Sequence, residues 1–412
     1  MNNLLIFIVF ISMMSPAVLY GQSVDELIEM ALSVNPQIQA VEATYQATQE
    51  TSRAVSELPD PMFMIEFRGT PLNPADVGDT REVMFMLQQM FPYPGKLKTL
   101  RRQSETKANV QHALIDARRV EVRAAVQQAY YQLYQVDRAL EINAEQQQLA
   151  AQFVEVATAK YVTDQASQAD VLQAQTRQSA LKTARLVLEQ QRQSALATLN
   201  QLLHRPVETP LEHTTVPSES PRVPNYLTPK LIATQPLLVA AQLQIKKSDV
   251  DIHLAELQAK PDFTLMGGYT RMNGMDDAWM GRFSMTLPFL PWANGDVPAR
   301  IRSAHQKKAQ RDAELQVIQD RLAAEFNATL AELNALQEQI EIYRTEILPQ
   351  AEQTVSAALA AYQTDLVDFL TLISAEQALR EHQLQYVTRL SKFYQTWASL
   401  EKIVGRPLSH TP

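Results

Sequence analysis

Glycine and proline restrict this chain to few folds, because they fall in two clusters separated by long gaps. No glycine occurs between Gly95 and Gly267 or between Gly295 and Gly405, and no proline between Pro94 and Pro206. From Arg300 to Arg406 the only proline is Pro349. Helix interiors avoid both residues, so gaps of this size predict helices much longer than the ordinary globular helix. At ~1.5 Å per residue, a helix of about sixty residues reaches roughly 95 Å. The chain is 46% hydrophobic but only 7% aromatic, which suits long helices packed on one another. Along Val122, Val126, Ala129, Leu133, Val136 and Leu140 the apolar positions recur at three- and four-residue steps, the stripe of a helical hairpin.

The breakers also recur at one offset. Asn35-Pro36 is matched by Gln235-Pro236, Pro61 by Pro261 and Gly95 by Gly295, a shift of 200; Tyr161 is matched by Tyr362 and Arg205-Pro206 by Arg406-Pro407, a shift of 201. Five matches in order predict an internal duplication. The expected organisation is a first repeat over 22–205, a proline-rich linker over 206–227, a second repeat over 228–407 and a tail over 408–412. Each repeat reads as a helix, two strands, a very long helix and a return helix. The first helices are expected from Asn35-Pro36 to about Ser56 and from Thr228-Pro229 to about Ala259. The long helices follow from Lys96 to about Tyr161 and from Pro298 to about Tyr362. The return helices are Gln168–Leu203 and Asp368–Val404.

The strand segments 62–68, 82–90, 262–271 and 279–287 alternate with period two. Phe63, Ile65 and Phe67 oppose Met62, Met64, Glu66 and Arg68; Val83, Phe85 and Leu87 oppose Glu82, Met84, Met86 and Gln88. The second repeat sets Phe263, Leu265 and Tyr269 against Asp262, Thr264 and Met266, and Trp279, Phe283 and Met285 against Met280, Arg282 and Ser284. One apolar, aromatic parity and one polar parity is the transmembrane-barrel pattern. An ordinary sheet with one buried face has the same period, but no other segment here offers a layer to cover that face. Four strands cannot close a barrel, and open edges do not survive in lipid. Three chains would supply twelve strands.

Leu4–Met14 is apolar apart from Ser12 and precedes Ser15-Pro16 and Gly21, as expected of an export signal over 1–21. The alternative is a buried N-terminal helix. With no cysteine in the chain, thiolate metal sites, a cysteine nucleophile and lipidation on cysteine are excluded. A net charge of −8 argues against nucleic acid as a partner. The seven histidines form no H-E-x-x-H, and no phosphate loop or G-x-S-x-G occurs, so an enzyme is not expected and no cofactor is implied.

Asn35-Pro36, Pro61-Met62-Phe63, Pro261-Asp262-Phe263 and the stretch from Phe91 to Leu97 (Phe-Pro-Tyr-Pro-Gly-Lys-Leu) carry a resemblance. So do Tyr161 with Asp170-Val171-Leu172, Tyr362 with Phe369-Leu370, and Gly405-Arg406-Pro407. With the duplication, these residues make the chain resemble the TolC-like outer-membrane efflux family, and most of all its heavy-metal branch of CusC- and CzcC-type ducts. The resemblance implies a mainly α protein with a small transmembrane β part. Long antiparallel helical hairpins would form an α-barrel, and four strands per chain would join a twelve-stranded barrel in the outer membrane. It also implies a homotrimer, a periplasmic adaptor, an inner-membrane pump of the RND type and heavy-metal cargo. The rival readings are the same duct for drugs or secreted protein, and an exported coiled-coil scaffold. Two departures stand out. The family's glycine after the helix-tip tyrosine is Asp164 and Asp365 here, and its acidic pair near the tip falls at Thr371 and Ser374.

Two groups of residues are candidate sites. Met62, Met64, Met84, Met86, Met266 and Met280 share the polar parity and should face a barrel lumen, where thioethers suit soft cations or merely fill space. Asp164, Asp170, Asp365 and Asp368 sit at the helix tips, where they either ring a pore aperture or cap helices. Tyr161, Thr163, Tyr362 and Thr364 are the tip residues expected to pack or to touch the adaptor.

Overall fold

The structure is a computed structural model that describes residues 23–69, 80–212, 214–288, 290, 296–364 and 366–408. Residues 1–21, expected above to be an export signal, the core of the loop after the first strand, Asp365 and most of the tail lie outside the described residues. Helices α1 (Val24–Val34) and α2 (Pro36–Ala54) lead into strands β1 (Met62–Arg68) and β2 (Glu82–Phe91), then helices α3 (Lys96–Val162) and α4 (Gln168–Leu202). After the linker come helix α5 (Pro236–Gln258), strands β3 (Phe263–Met272) and β4 (Ala278–Met285), and helices α6 (Asp296–Ile342), α7 (Leu348–Gln363) and α8 (Phe369–Val404). At 67 residues, α3 extends about 100 Å. It packs along α4, α5, α8 and α2, while α6 packs on α5 and α8. The protein is therefore a mainly helical bundle with one four-stranded antiparallel sheet.

Three local features depart from the sequence reading. α1 is a separate helix, opened by a Ser23–Glu26 capping box and burying Leu27, Ile28 and Ala31. The second repeat's first α-helix starts at Gln235-Pro236, because Thr228-Pro229 opens only a 3-10 turn over Pro229–Thr234. The second long helix is not continuous: a π turn over Tyr343–Ile347 separates α6 from α7. Pro349 accounts for that break, since it lacks an N–H and its ring crowds the carbonyl four residues back.

The Asn-Pro and Gly-Arg-Pro motifs tie each return helix to the start of its repeat. Asn35 accepts the Gln37 N–H (2.9 Å) as N-cap of α2 and donates to the Leu202 carbonyl (3.0 Å) at the end of α4. In the second repeat Gln235 caps α5 from the N–H groups of Leu237 and Leu238. Gly405 there, at φ 84°, lies so close that an added Cβ would come within 2.5 Å of Pro236 Cδ. Asn35→Ala removes a cap and leaves a carbonyl unpaired, so it should cost about 1–2 kcal/mol in chemical unfolding. Asn35→Asp, which keeps the cap but loses the donor, should fall between alanine and the native residue.

The main core surrounds α1, mid-α3, α8 and the linker, with Trp397, Tyr130, Tyr394, Phe393 and Phe326 fully buried. The proline-rich linker has few backbone partners of its own, and side chains from the helices satisfy it. Tyr130 Oη accepts the Thr215 N–H (2.9 Å), Tyr394 Oη accepts the Ser218 N–H (2.8 Å), and Tyr386 Oη donates to the Glu219 carbonyl (3.1 Å).

Glu401 is the buried carboxyl of this core. It accepts from Gln127 Nε2 (2.9 Å), Trp397 Nε1 (3.2 Å) and the Leu408 N–H (2.8 Å). Burial pushes it above its ordinary value of 4.5, against the pull of these donors and of Arg123. The folded chain thus holds this proton more tightly than the unfolded chain. Its contribution to stability grows as pH falls through the raised value and is complete below the unfolded one. Glu401→Gln should abolish that gain on acidification. The new amide can also donate to Gln127 Oε1, which is buried without a hydrogen bond. Chemical unfolding at pH 7.5 and pH 5 should therefore show Glu401→Gln at least as stable as the native chain at the higher pH. Glu401→Ala should lose about 1–3 kcal/mol; equal losses in the two variants would contradict the assignment.

Candidate functional site: a two-faced sheet and a pinned helix tip

The sheet runs β1-β2-β3-β4, so among the described residues β1 and β4 each keep an unpaired outer edge. Register sorts its side chains into transverse rows. Ile65, Phe85, Tyr269 and Trp279 form one row, and Phe63, Leu87, Gly267 and Gly281 the next. These rows lie on the exposed face, where Trp279 is 83% and Leu87 57% accessible. Tyr269 and Trp279 pair at 5.2 Å and Phe263 stacks on Phe283 at 6.0 Å, which sets aromatic pairs towards both ends of the face. From Val83 to Phe91 a strand covers about 27 Å, close to the height of a barrel's apolar band once tilted.

The opposite face carries Met62, Met64, Met84, Met86, Met266 and Met280, as the alternation predicts. Met84 (4%) and Met86 (6%) are buried, Met64, Met266 and Met280 are half-buried, and Met62 is exposed on the edge strand. Among the described residues no group of three histidine, aspartate or glutamate side chains is placed to hold a metal ion.

Where the strands meet the helices, the motif residues form one knot. Gly95, left-handed at φ 97°, turns the chain into α3. Lys96 then reaches Asp262 Oδ1 (2.8 Å) and the Lys260 carbonyl (3.1 Å). Asp262 also accepts the Tyr93 N–H (2.7 Å), and its own backbone pairs with Thr286 at the end of β4. A lysine at a helix N-terminus opposes the helix dipole; here the carboxylate and the carbonyl offset it. One ion pair thus joins the exit of β2, the entry of β3 and the exit of β4.

At the far end of the hairpins Asp164 is exposed in the left-handed region at φ 62°, which aspartate tolerates better than most side chains. Glycine, which the resemblance leads one to expect at this position, adopts that backbone without strain. Asp170 forms a capping box with Ser167, and Asp368 caps α8 through the N–H (2.8 Å) and hydroxyl (2.6 Å) of Thr371. The hydroxyl of Thr371, then its N–H, holds the Asp368 carboxyl below the usual range. Both described caps thus take the helix-capping role, while Asp365 lies outside the described residues. Tyr161, Thr163 and Thr364 are exposed. Tyr362 is a packing residue: it is 4% exposed, against Phe369, with the Lys160 ammonium 4.8 Å from its ring centroid.

Sequence reasoning missed the strongest tip contacts. Arg177 on α4 holds Glu376 on α8 through two parallel bonds, Nε to Oε2 (3.0 Å) and Nη2 to Oε1 (2.8 Å). Lys160 Nζ donates to the Tyr362 carbonyl (2.7 Å), so the two hairpins are pinned twice around a core of Phe153, Ala157, Ala174, Phe369, Leu372 and Ile373. The signal was in the helical period. Glu376 falls on the apolar stripe Phe369, Leu372, Ile373, Leu379, and Arg177 on the stripe Ala174, Leu181. A charge on a buried stripe requires a partner.

Residues 227–406 match the family described as Outer membrane efflux protein. The cobalt-zinc-cadmium resistance protein CzcC of Cupriavidus metallidurans is 23% identical over 184 residues, 44% of this chain and 42% of the relative, so the match spans less than half of that protein. Solved structures align over 93% of the chain. The outer-membrane channel OprN does so with TM-score 0.80, 18% identity and 90% of its own length, and CusC with 0.80, 18% and 92%. The outer membrane protein VceC of Vibrio cholerae gives 0.77, 19% and 96%. The fold is that of the solved channels. The long-helix bundle and the four-stranded sheet are thus the fold of these solved channels, and within it residues 227–406 match the Outer membrane efflux protein family.

Proposed function

We propose that this chain is the outer-membrane exit duct of a tripartite efflux system that exports heavy-metal cations. The observation that carries the reading is the sheet: one face mainly apolar and aromatic, with Gln89 and Arg271 its polar members, the other lined by methionine and polar groups, and both edges unpaired among the described residues. Such a sheet is incomplete in lipid until further copies continue it. Three copies supply twelve strands, and their paired hairpins form the tunnel below. Transport energy comes from an inner-membrane RND-type pump coupled through a periplasmic adaptor, so the duct itself needs no cofactor. Residues 1–21 act as the export signal, and the chain, lacking cysteine, is not lipidated on one. The carboxylates Asp164, Asp170, Asp365 and Asp368 line the tip aperture while two of them also cap helices. Tyr161, Thr163 and Thr364 face the adaptor.

Support for metal cargo comes from the likeness to a protein named for cobalt, zinc and cadmium resistance. The deciding experiment deletes the gene in its native host and compares copper, silver, zinc, cobalt and cadmium with a drug panel. Sensitivity confined to metals and restored by the intact chain is the expected result. Sensitivity confined to drugs would keep the duct and discard the metal cargo. A protein found soluble after membrane fractionation would discard the duct in favour of a scaffold.

A further inference from the structure

Met64, Met86, Gly268 and Met280 occupy a single transverse row across all four strands, with no charged side chain among them. Met64 and Met86 are directly opposed neighbours, whose Cβ atoms stand about 5 Å apart in any antiparallel pair. Met86 and Met280 are two strands apart, a backbone separation of roughly 10 Å. Side chains at that distance normally point up in parallel, separated by the residue between them. Here the residue between is glycine, and the gap is closed. A Cβ on Gly268 would lie 2.9 Å from Met86 Cγ and 3.3 Å from Met280 Cγ, so both methionines lean over the glycine into the space its side chain would fill. Met86 is nearly inaccessible as a result.

We propose that this row is a binding site for a soft monovalent cation, Cu(I) or Ag(I), held by the thioethers of Met64, Met86 and Met280. The proposal rests on the duct reading for its place in the lumen and refines its cargo class. Thioether ligands favour Cu(I) and disfavour cations that prefer oxygen or nitrogen. A row with neither carboxylate nor imidazole therefore discriminates against Zn(II) and Co(II), the metals for which the CzcC relative is named. The adjacent rows differ in chemistry. Met62, Gln88 and Met266 continue to Arg282, whose positive charge opposes a cation; Glu66 and Met84 continue to Thr270, with one thioether only. Among the described rows of the sheet, three methionines share this one. In a trimer the row would recur three times around the lumen.

The test uses the full-length protein, purified in detergent and labelled with 13C at the methionine methyl groups. It is titrated with Ag(I) as silver nitrate, then exchanged into metal-free buffer and assayed for retained silver. Saturable shifts confined to Met64, Met86 and Met280, with about one silver retained per chain, are expected of a site that prefers soft ligands. The row variant Met64→Leu/Met86→Leu/Met280→Leu conserves volume and packing and should retain at least about tenfold less. The control Met272→Leu/Met275→Leu/Met285→Leu should retain as much as the native chain. Zn(II) at equal concentration should leave the spectrum unchanged. Equal retention by the two variants, or shifts spread over all the methionines, would show that the row only fills space and overturn the site. Silver binding by the purified row without any metal phenotype in cells would overturn the metal-efflux reading and leave the site standing.

Discussion

Arg177→Ala should loosen the helix tips by about 3–5 kcal/mol, more than any other single change at that end of the molecule. The reason is what it leaves behind. Glu376 is 1% exposed, and both its carboxylate oxygens bond to Arg177. Removing the guanidinium strands a buried charge, which is the costly way to break an ion pair. Removing both charges is a different experiment. Arg177→Met/Glu376→Leu restores an unbroken apolar stripe from Ala174 to Leu181 and from Phe369 to Leu379, and it should be close to neutral or stabilising. Hydrogen exchange at the tip amides of α3, α4, α7 and α8 would report the local effect; thermal unfolding would dilute it across the large core. If the double variant proves as unstable as Arg177→Ala, packing geometry and not the stranded charge is the cause. The pair also connects α4 to α8, helices with little other contact. Single-channel recordings in planar bilayers should therefore show higher conductance for Arg177→Ala than for the double apolar variant.

Much of this architecture is written locally in the sequence. The ends of the long helices are set by Gly95, Pro206 and Gly405, and the strands by strict alternation, so both are legible from residue type alone. The strand bounds shift by one or two residues at most. α1 is the element missed although its signal is local, since Ser23-x-x-Glu26 forms a capping box just before Leu27, Ile28 and Ala31. The start of α5 was misplaced because Thr228-Pro229 and Gln235-Pro236 both read as caps seven residues apart, and threonine is the better cap by propensity. Tertiary contact decided it: Gly405 packs on Gln235-Pro236. At the tips, aspartates near turns attracted a pore assignment while their capping role was equally visible in Ser167-x-x-Asp170. The Lys96–Asp262 knot could not be derived from sequence at all, since its partners are 166 residues apart and nothing local marks them as a pair.

Leu87→Arg should abolish outer-membrane insertion while Gln88→Arg, its neighbour on the same strand, is tolerated. Leu87 is in the middle row of the exposed face, between Phe63 and Gly267, with Ile65, Phe85, Tyr269 and Trp279 in the row on one side and Gln89, Leu265 and Phe283 in the row on the other. If lipid covers that face, an arginine there sits near the midplane and costs about 2–4 kcal/mol in each copy. Its length does not rescue it, because the guanidinium must cross several rows of Phe, Leu and Trp to reach a headgroup. Gln88 points the other way, into the row with Met62, Met266 and Arg282, where a polar lumen accepts a charge. The comparison cancels backbone and propensity effects, since the two positions share one strand and one substitution. Flotation of membranes on a sucrose gradient, with both variants expressed equally, gives the readout. Leu87→Arg should remain in the soluble or aggregated fraction and Gln88→Arg should float with the outer membrane. Equal flotation of the two would mean that the apolar face meets protein instead of lipid. The four strands would then be a cap on a helical scaffold, and the exposed rows of Phe, Leu and Trp would need a protein partner to cover them.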